Sequence, residues 1–173
     1  PVNEQVNRFL PLQTICMMLF AVLVCTALAQ PDRLIWSYTL DTDLYSRAIT
    51  VGDALYIASN DGFVYAVNNK DGSLIWKFRV GERIIPTDPP EYFTHYVSAP
   101  IVDENSVYTH SANDGRIFAL NKNDGAVTWT YAAGEDLHTR PWLESDTLFA
   151  ATNTGKILAL NRNSGTARWT YST

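Results

Sequence analysis

Cysteine is absent from most of the chain. Its two cysteines, Cys16 and Cys25, both lie in an apolar stretch near the N-terminus, and none follows Ala29. A disulfide, a thiol nucleophile and a cysteine-ligated metal site are therefore excluded from residues 30–173.

The sequence also lacks the features of several function classes. Lys and Arg number 13 against 18 Asp and Glu, a formal net charge of −5, so the basic surface that a nucleic-acid partner requires is missing. There is no glycine-rich phosphate-binding motif and no nucleophile elbow in the sequence. The histidines show no metal-ligand spacing, which argues against a zinc site; they are His95, His110 and His138.

No apolar run reaches the length of a typical membrane helix. The longest occupies only residues 14–29, whereas a transmembrane helix needs about 20 residues. It ends in Ala27-Leu28-Ala29, the small-x-small pattern that precedes a leader-peptidase cut. We therefore predict a signal peptide at residues 1–29, export to the periplasm or the extracellular space, and no membrane span after cleavage.

Alternatives to a cleaved leader stay open. Arg8 is the only basic residue before the apolar stretch, so a retained signal anchor or a plain apolar helix would also fit. Val24 stands where a lipoprotein would need a small residue before its cysteine, which disfavours lipidation. The chain starts at Pro1 rather than at methionine, which suggests that its true start is missing.

What the chain does have is an internal repeat. A phrase of the form Ala-x-Asn-x-x-x-Gly-x-x-x-Trp occupies residues 66–76, 119–129 and 159–169. A self-similar unit of about 40 residues built from short strands indicates a radial or stacked array. The tryptophans of the pattern are Trp36, Trp76, Trp129 and Trp169. Their first and last spacings are equal, and the middle one is longer.

Turns and alternation divide each repeat into four strands. In the first unit they are predicted near residues 47–51, 55–59, 63–68 and 74–80, the last with strictly alternating apolar residues. Asx-Gly turns suit tight hairpins between antiparallel strands. Two turn glycines recur at fixed offsets before each tryptophan, and these are Gly62, Gly115 and Gly155, then Gly72, Gly125 and Gly165.

These units predict an all-β fold, a partial β-propeller that follows an N-terminal signal helix and fills residues 30–173. It contains three four-stranded antiparallel blades, at about residues 46–80, 97–132 and 138–173. Burying one tryptophan removes roughly 150–250 Å² from water, which is worth about 4–6 kcal/mol before entropy at about 25 cal/mol per Å². We expect this indole to fasten neighbouring blades.

Trp36 breaks the pattern, because residues 33–40 resemble an outer strand but have no blade of their own. We interpret them as an orphan clasp strand that would complete a last blade. Three blades form an arc, so the chain is expected to be an N-terminal fragment whose partners include the remaining blades of its full-length chain. An arc completed by self-association is the alternative.

The repeated phrase resembles the tryptophan-docking motif of the pyrroloquinoline-quinone (PQQ)-like propeller repeat family. The preceding aromatic pairs, Val107-Tyr108 and Leu148-Phe149, and the turns Asp114-Gly115 and Thr154-Gly155 fit as well. The resemblance covers nearly all of residues 33–173. It is specific for fold rather than for activity.

The resemblance implies two kinds of function. One branch of the family consists of quinoprotein dehydrogenases that oxidise alcohols or sugars with PQQ and calcium, and these characteristically carry a vicinal disulfide and acidic calcium ligands. The other branch is non-catalytic and includes a periplasmic propeller that assists assembly of outer-membrane barrels. The predicted inner strands carry Ser, Thr, Arg, Ala and Pro rather than acidic pairs. We therefore favour an exported scaffold with no cofactor in this fragment, and keep a PQQ- and calcium-dependent dehydrogenase as the alternative.

One rim of the arc is the expected binding surface for a protein partner or a small ligand. The longer middle spacing places an insertion mainly within residues 81–96, and insertions on one rim often bind partners; a decorative loop stiffened by prolines is the alternative. Inner-strand arginines could hold an anion by bidentate hydrogen bonds, or could pair with rim carboxylates or remain hydrated. The candidate residues are Arg47, Arg83, Tyr92, His95, Arg140 and Trp142, with Asp61 and Asp114 on the same face.

Overall fold

The computed structural model describes residues 34–40, 44, 46–81, 98–111, 114–137 and 139–172. The chain divides into two compact units, residues 1–35 and 36–173, and nearly all of the described residues belong to the second. The predicted signal helix lies outside the described residues. Among those residues there is no helix that could cross a membrane.

Twelve short strands make up the described secondary structure. They form three separate four-stranded antiparallel sheets, and each sheet takes its strands in chain order. This arrangement confirms the predicted all-β partial propeller with three four-stranded blades. The strands are β1 (Ile49–Val51), β2 (Ala54–Ala58), β3 (Phe63–Asn68), β4 (Leu74–Arg79), β5 (Ile101–Val102), β6 (Ser106–His110), β7 (Arg116–Asn121), β8 (Val127–Ala132), β9 (Trp142–Glu144), β10 (Thr147–Ala151), β11 (Lys156–Asn161) and β12 (Ala167–Ser172).

The three sheets repeat the same irregularity. In each, the ladder between the third and the fourth strand shifts register directly after the alanine that faces the tryptophan, for example between Ala66 and Val67. The turn that follows is closed by side chains, since Asp71 Oδ1 accepts the Ser73 N–H at 2.9 Å and Asp124 Oδ1 accepts the Ala126 N–H at 2.9 Å. Such Asx turns explain why Asp and Asn recur before the glycine.

The ladders also show where the insertion of the second repeat lies. Ile101 and Trp142 hold the same ladder position, opposite Tyr108 and Phe149. The step from Trp76 to Ile101 is longer by twelve positions than the equivalent step from Trp129 to Trp142. Nearly all of the insertion therefore belongs to the connection between the first two sheets. One further position lies in the β6–β7 turn, because the corresponding ladder pairs are Tyr108 with Ala119 and Phe149 with Ala159.

Adjacent sheets are joined by an indole that stacks on a glycine of the next sheet. Trp76 and Trp129 are 7% and 8% exposed. A Cβ on Gly125 would lie 2.8 Å from the Trp76 indole, and one on Gly165 would lie 2.5 Å from the Trp129 indole. Each indole Nε1–H donates at 2.8 Å to a backbone carbonyl three residues before that glycine. Glycine is needed here because no other residue leaves room for the ring.

Trp36 makes the same contact without belonging to a strand. Its indole stacks against Gly72, where a Cβ would lie 2.8 Å away, and its Nε1–H donates to the Asn69 carbonyl at 2.8 Å. Residues 34–40 nevertheless adopt no regular structure. The expected clasp segment pairs with none of the described strands. Its side chains still make the contacts of an outer strand, because Tyr38 also meets Tyr65, with ring centroids 6.2 Å apart.

Two apolar clusters fill the junctions between sheets. The first joins Tyr56, Val64 and Trp76 to Val107, Phe118 and Leu120. The second joins Tyr108, Ile117 and Trp129 to Leu148, Leu158 and Leu160. β12 has no sheet beyond it among the described residues, and all six of its residues are exposed, including Trp169 at 49%.

Candidate functional site

One end of the three sheets carries the candidate site. The antiparallel strand order brings three features to that end of each sheet: the turn between the second and third strands, the end of the outer strand and the start of the inner strand. We call this end the connection rim. Its described residues are 46–48, 59–62, 79–81, 98–100, 111, 114–116, 133–137, 139–142 and 152–156.

The predicted inner-strand residues lie on this rim but do not form one cluster. The Arg140 guanidinium donates from Nη2 to the Pro100 carbonyl at 3.3 Å and so links the third sheet to the second. Trp142 is 64% exposed and Arg47 is exposed. The predicted candidates Arg83, Tyr92 and His95 lie outside the described residues.

The turn at Asp114 holds an ion pair. The Arg116 guanidinium donates from Nε at 2.6 Å, and also from Nη2, to Asp114 Oδ2. Burial raises the pKa of the Asp114 carboxyl, but hydrogen bonds from Arg116 and Ser111 outweigh this and hold the pKa below its usual value. The same hydrogen bond to the carboxylate raises the pKa of Arg116. Asp114 is therefore a carboxylate at neutral pH and fixes the arginine beside it.

A cavity of about 330 Å³ opens beside this ion pair, between the first and second sheets. We call it the rim cavity. Two guanidinium groups and one carboxylate line it together with two phenylalanine rings, so it combines positive charge with an apolar wall. Its lining residues are Phe78, Arg79, Val80, Gly81, Asp114, Arg116 and Phe118.

Aromatic contacts place the groups that line the rim cavity. Phe78 and Phe118 meet edge to face, with ring centroids 5.3 Å apart and planes at 64°. The Arg116 guanidinium lies 5.6 Å from the centroid of Phe118, and that of Arg79 lies 5.9 Å from the centroid of Phe63. Guanidinium groups over aromatic faces gain attraction from the ring quadrupole. Both cations are therefore positioned by packing as well as by charge.

The junction between the second and third sheets uses a carboxylate at the corresponding place. Glu135, in the connection, accepts hydrogen bonds from the hydroxyls of Thr152, at 2.8 Å, and Thr154, and pairs with Lys156 Nζ at 3.0 Å. The hydrogen bond from Thr154, followed by those from Lys156 and Thr152, lowers the pKa of Glu135 to about 2. Lys156 also donates to the Ala133 carbonyl at 3.3 Å. We call this group of residues the Glu135 clamp.

The turn at Asp61, in the first sheet, is satisfied within itself. Asp61 Oδ1 accepts the Phe63 N–H at 3.0 Å, and its Oδ2 accepts the Tyr65 hydroxyl at 2.5 Å. Its carboxylate is thus committed to the local turn. Of the two rim aspartates named from the sequence, Asp114 lines a cavity and Asp61 closes a hairpin.

His110 is buried on the same rim, where its Nδ1 lies 3.3 Å from the Ser98 hydroxyl. No group of three His, Cys, Asp or Glu side chains that could hold a metal ion occurs among the described residues. Those residues therefore do not by themselves fit a calcium site. The described rim presents cations and aromatic rings, which bind other groups by noncovalent contacts.

Of the charged and aromatic groups that line the rim cavity, the sequence singled out only Asp114. Arg79, Phe78 and Phe118 belong to outer and third strands, and their alternation predicts only which face they share. The Glu135 clamp was also missed. The sequence contains little sign of this clamp, because Glu135 and Lys156 are far apart in the chain. They meet only through the geometry of the turns.

Comparison with known proteins agrees with the fold and the repeat. The family model described as outer membrane protein assembly factor BamB matches residues 23–173. The chain belongs to this family. Membership confirms the predicted PQQ-like propeller repeats, and with them the family that the tryptophan motif indicates.

The individual relatives are matched over only a part of their own length. The chain is 37% identical over 81 residues to the BamB of Moranella endobia, covering 46% of this chain and 17% of that protein. It is 31% identical over 127 residues to the tetrathionate hydrolase of Acidithiobacillus ferrooxidans, covering 64% of this chain and 26% of that enzyme. The chain thus spans about a quarter or less of the length of these relatives.

Solved structures support the fold alone. BamB from Moraxella catarrhalis superposes with a TM-score of 0.61 at 21% identity, covering 79% of this chain and 40% of that one. The quinohemoprotein alcohol dehydrogenase of Comamonas testosteroni superposes with a TM-score of 0.64 at 18% identity, covering 81% of this chain and 23% of that one. Similar sheets therefore occur in an assembly factor and in an alcohol dehydrogenase, and activity has to be argued from the site.

Proposed function

We propose that the chain is part of an exported, non-catalytic propeller that binds a protein partner through its connection rim. The observation that carries this proposal is the rim cavity, which presents two guanidinium groups and a phenylalanine wall at the end of the sheets that bears the sheet-to-sheet connections. Aromatic rings and arginines are enriched where proteins bind one another. Membership of the BamB family supports a role in the assembly of outer-membrane proteins.

The proposed surface includes the candidate residues of the rim. Arg47, Arg140 and Trp142 would add exposed contacts at the inner strands, while Arg83, Tyr92 and His95 would add contacts from the long connection between the first two sheets. The proposed location is the periplasm, reached by means of a signal peptide at residues 1–29. No cofactor is part of this proposal.

Site-specific photocross-linking on the full-length protein in its own cells tests the proposal. A photoreactive residue in place of Trp142 should give a discrete adduct with an outer-membrane assembly protein. The matched control carries the same residue in place of Arg168, whose guanidinium pairs with Asp146 at the opposite end of the third sheet. Equal adducts at the two positions, or none at position 142, would contradict binding through the rim.

Alanine substitutions at Tyr92 and His95 test how much the long connection between the first two sheets contributes to partner binding. Both substitutions should weaken capture of the partner identified by cross-linking and leave the melting temperature unchanged, because the connection is expected to bind rather than to support the sheets. Unchanged capture would show that the insertion is decorative.

The second candidate is an enzyme, which the similarity to a tetrathionate hydrolase favours. A PQQ- and calcium-dependent dehydrogenase is the form of this alternative that the repeat family suggests, but the described residues do not supply its metal ligands. Dye reduction by the full-length protein with added PQQ and calcium, and hydrolysis of tetrathionate, are the assays that separate it from the scaffold. Turnover of either kind would replace the first proposal.

A further inference from the structure

The two junctions between sheets share one contact. At the first junction, between the first and second sheets, the Trp76 indole donates to the Lys122 carbonyl at 2.8 Å. At the second junction, between the second and third sheets, the Trp129 indole donates to the Arg162 carbonyl at 2.8 Å. Lys122 and Arg162 therefore hold the same place in their sheets, and the two junctions can be compared position by position.

The second junction has an ion pair beside this shared contact. Arg162 Nη1 lies 3.7 Å from Asp103 Oδ2, and the Asp103 side chain is only 17% exposed. The carboxylate is fixed by its own turn, since Oδ1 accepts the Ser106 N–H at 2.7 Å and Oδ2 accepts the Tyr108 hydroxyl at 2.9 Å. Solvent screens a partly buried pair less than an exposed one. This ion pair therefore helps to hold the third sheet against the second.

The corresponding place at the first junction is apolar. Ile49 and Ile101 face equivalent tyrosines in their ladders, so Val51, two residues further on, holds the position of Asp103. The valine packs against the first apolar cluster. Within the described ranges Lys122 forms no ion pair, so this end of the first junction is held by the indole contact and by apolar packing.

A second polar contact joins the inner strands at the second junction. Arg140 Nη2 of the third sheet donates to the Pro100 carbonyl of the second sheet at 3.3 Å. Ala99 holds the position of Arg140 in the second sheet, since Ile101 and Trp142 are equivalent in their ladders. An alanine side chain has no donor. Among the described residues, both polar contacts of the second junction thus lack a counterpart at the first.

We propose that the second and third sheets open and close as one unit, and that the first junction is the hinge at which the molecule opens first. The indole contact is the same at both junctions, whereas two further polar contacts must be lost before the second one opens. Segments of a protein open locally in cooperative units that differ in free energy. The rim cavity lies at the first junction, so its width changes with this opening. The inference goes beyond the proposed function and does not depend on it.

Thiol labelling of the folded full-length protein tests this inference, because residues 30–173 contain no cysteine of their own. Ala66 and Ala119 are both 0% exposed, and each faces the tryptophan of its own sheet, at the first and the second junction respectively. In protein from which any other cysteine has been removed, a thiol-reactive disulfide reagent should modify the Ala66→Cys variant at least about tenfold faster than the Ala119→Cys variant. Equal rates, or faster modification of Ala119→Cys, would overturn the proposal.

Removal of the charge at position 103 tests whether the ion pair holds the second junction. In the Ala119→Cys protein, Asp103→Asn should speed labelling about threefold, because the negative charge is lost while the amide oxygen can still accept the N–H groups of the turn. Glu104→Gln is the matched control, since it removes the neighbouring exposed carboxylate, and it should leave the rate unchanged. An Asp103→Asn rate no faster than that of the control would contradict the proposal.

Addition of a charge to the first junction should have the opposite effect. In the Ala66→Cys protein, Val51→Asp should slow labelling about threefold relative to Val51→Asn, because only the aspartate places a negative charge beside Lys122. The asparagine variant accounts for the loss of the valine side chain from the apolar cluster. Equal labelling rates of the two variants would show that charge at this place does not hold the sheets together, and the hinge would have to be abandoned.

Discussion

At the scale of single residues, glycine sets the distance between sheets. Gly72, Gly125 and Gly165 have φ of 73°, 72° and 69°, and an indole lies directly against each of them. Two separate requirements therefore meet at these positions, a left-handed backbone and the absence of a side chain.

Gly125→Ala should destabilise the protein by about 2–4 kcal/mol, because the new methyl group meets the Trp76 indole and the backbone conformation is strained as well. Gly52→Ala is the matched control: its φ is 61°, and a Cβ there would meet nothing within 4 Å. It should cost only about 1 kcal/mol. Urea unfolding of both variants measures the difference in the free energy of unfolding. Equal losses of stability would show that contact with the indole is not what requires glycine at position 125.

Glu135 makes stability depend on pH in the acid range. Since its folded pKa of about 2 lies below its ordinary value of 4.5, its contribution is present above about pH 4.5 and is lost as the pH falls toward 2. Glu135→Gln should therefore lower the melting temperature at pH 5 and change it little at pH 2. Glu144→Gln is the control, since no hydrogen bond of its carboxylate occurs within the described ranges. Identical melting curves for Glu135→Gln and the wild type between pH 5 and pH 2 would exclude the clamp.

At the scale of strands and sheets, the contribution of each tryptophan to stability depends on how deeply its ring is buried. Trp129→Ala should cost about 3–5 kcal/mol, because it empties a buried junction and removes a hydrogen bond to the Arg162 carbonyl. Trp142→Ala should cost less than about 1 kcal/mol, because that ring is 64% exposed. Chemical denaturation of the protein that carries each substitution compares the two. A large loss for Trp142→Ala would contradict the described burial.

Much of the secondary structure could be predicted from the sequence, because the alternation of apolar and polar residues and the Asx-Gly turns are local signals. The outer strand predicted at residues 74–80 and the observed β4 agree closely, as do the third strand predicted at residues 63–68 and β3. The outer strand predicted around Trp36 is not among the described strands, since a strand needs a neighbour to pair with. The rim cavity was beyond sequence reasoning, because it depends on how far apart two sheets stand at Gly81 and Arg116.

At the scale of the whole molecule, the repeats give a fold without fixing an activity. Superposable sheets occur in an assembly factor and in a dehydrogenase, so the tryptophan contacts carry no information about chemistry. Within the described residues, the two junctions pair their cations differently. Lys156 pairs with Glu135 at one junction, and Arg116 pairs with Asp114 at the other.

The indole-on-glycine contact has a consequence for how such molecules change over time. Every sheet offers a ring on one side and a place for a ring on the other, so the contact has a direction and is the same at each step. A duplicated unit that is inserted between two existing ones would find both of its neighbours already compatible. Repeat number can therefore vary among descendants without any new interface having to evolve.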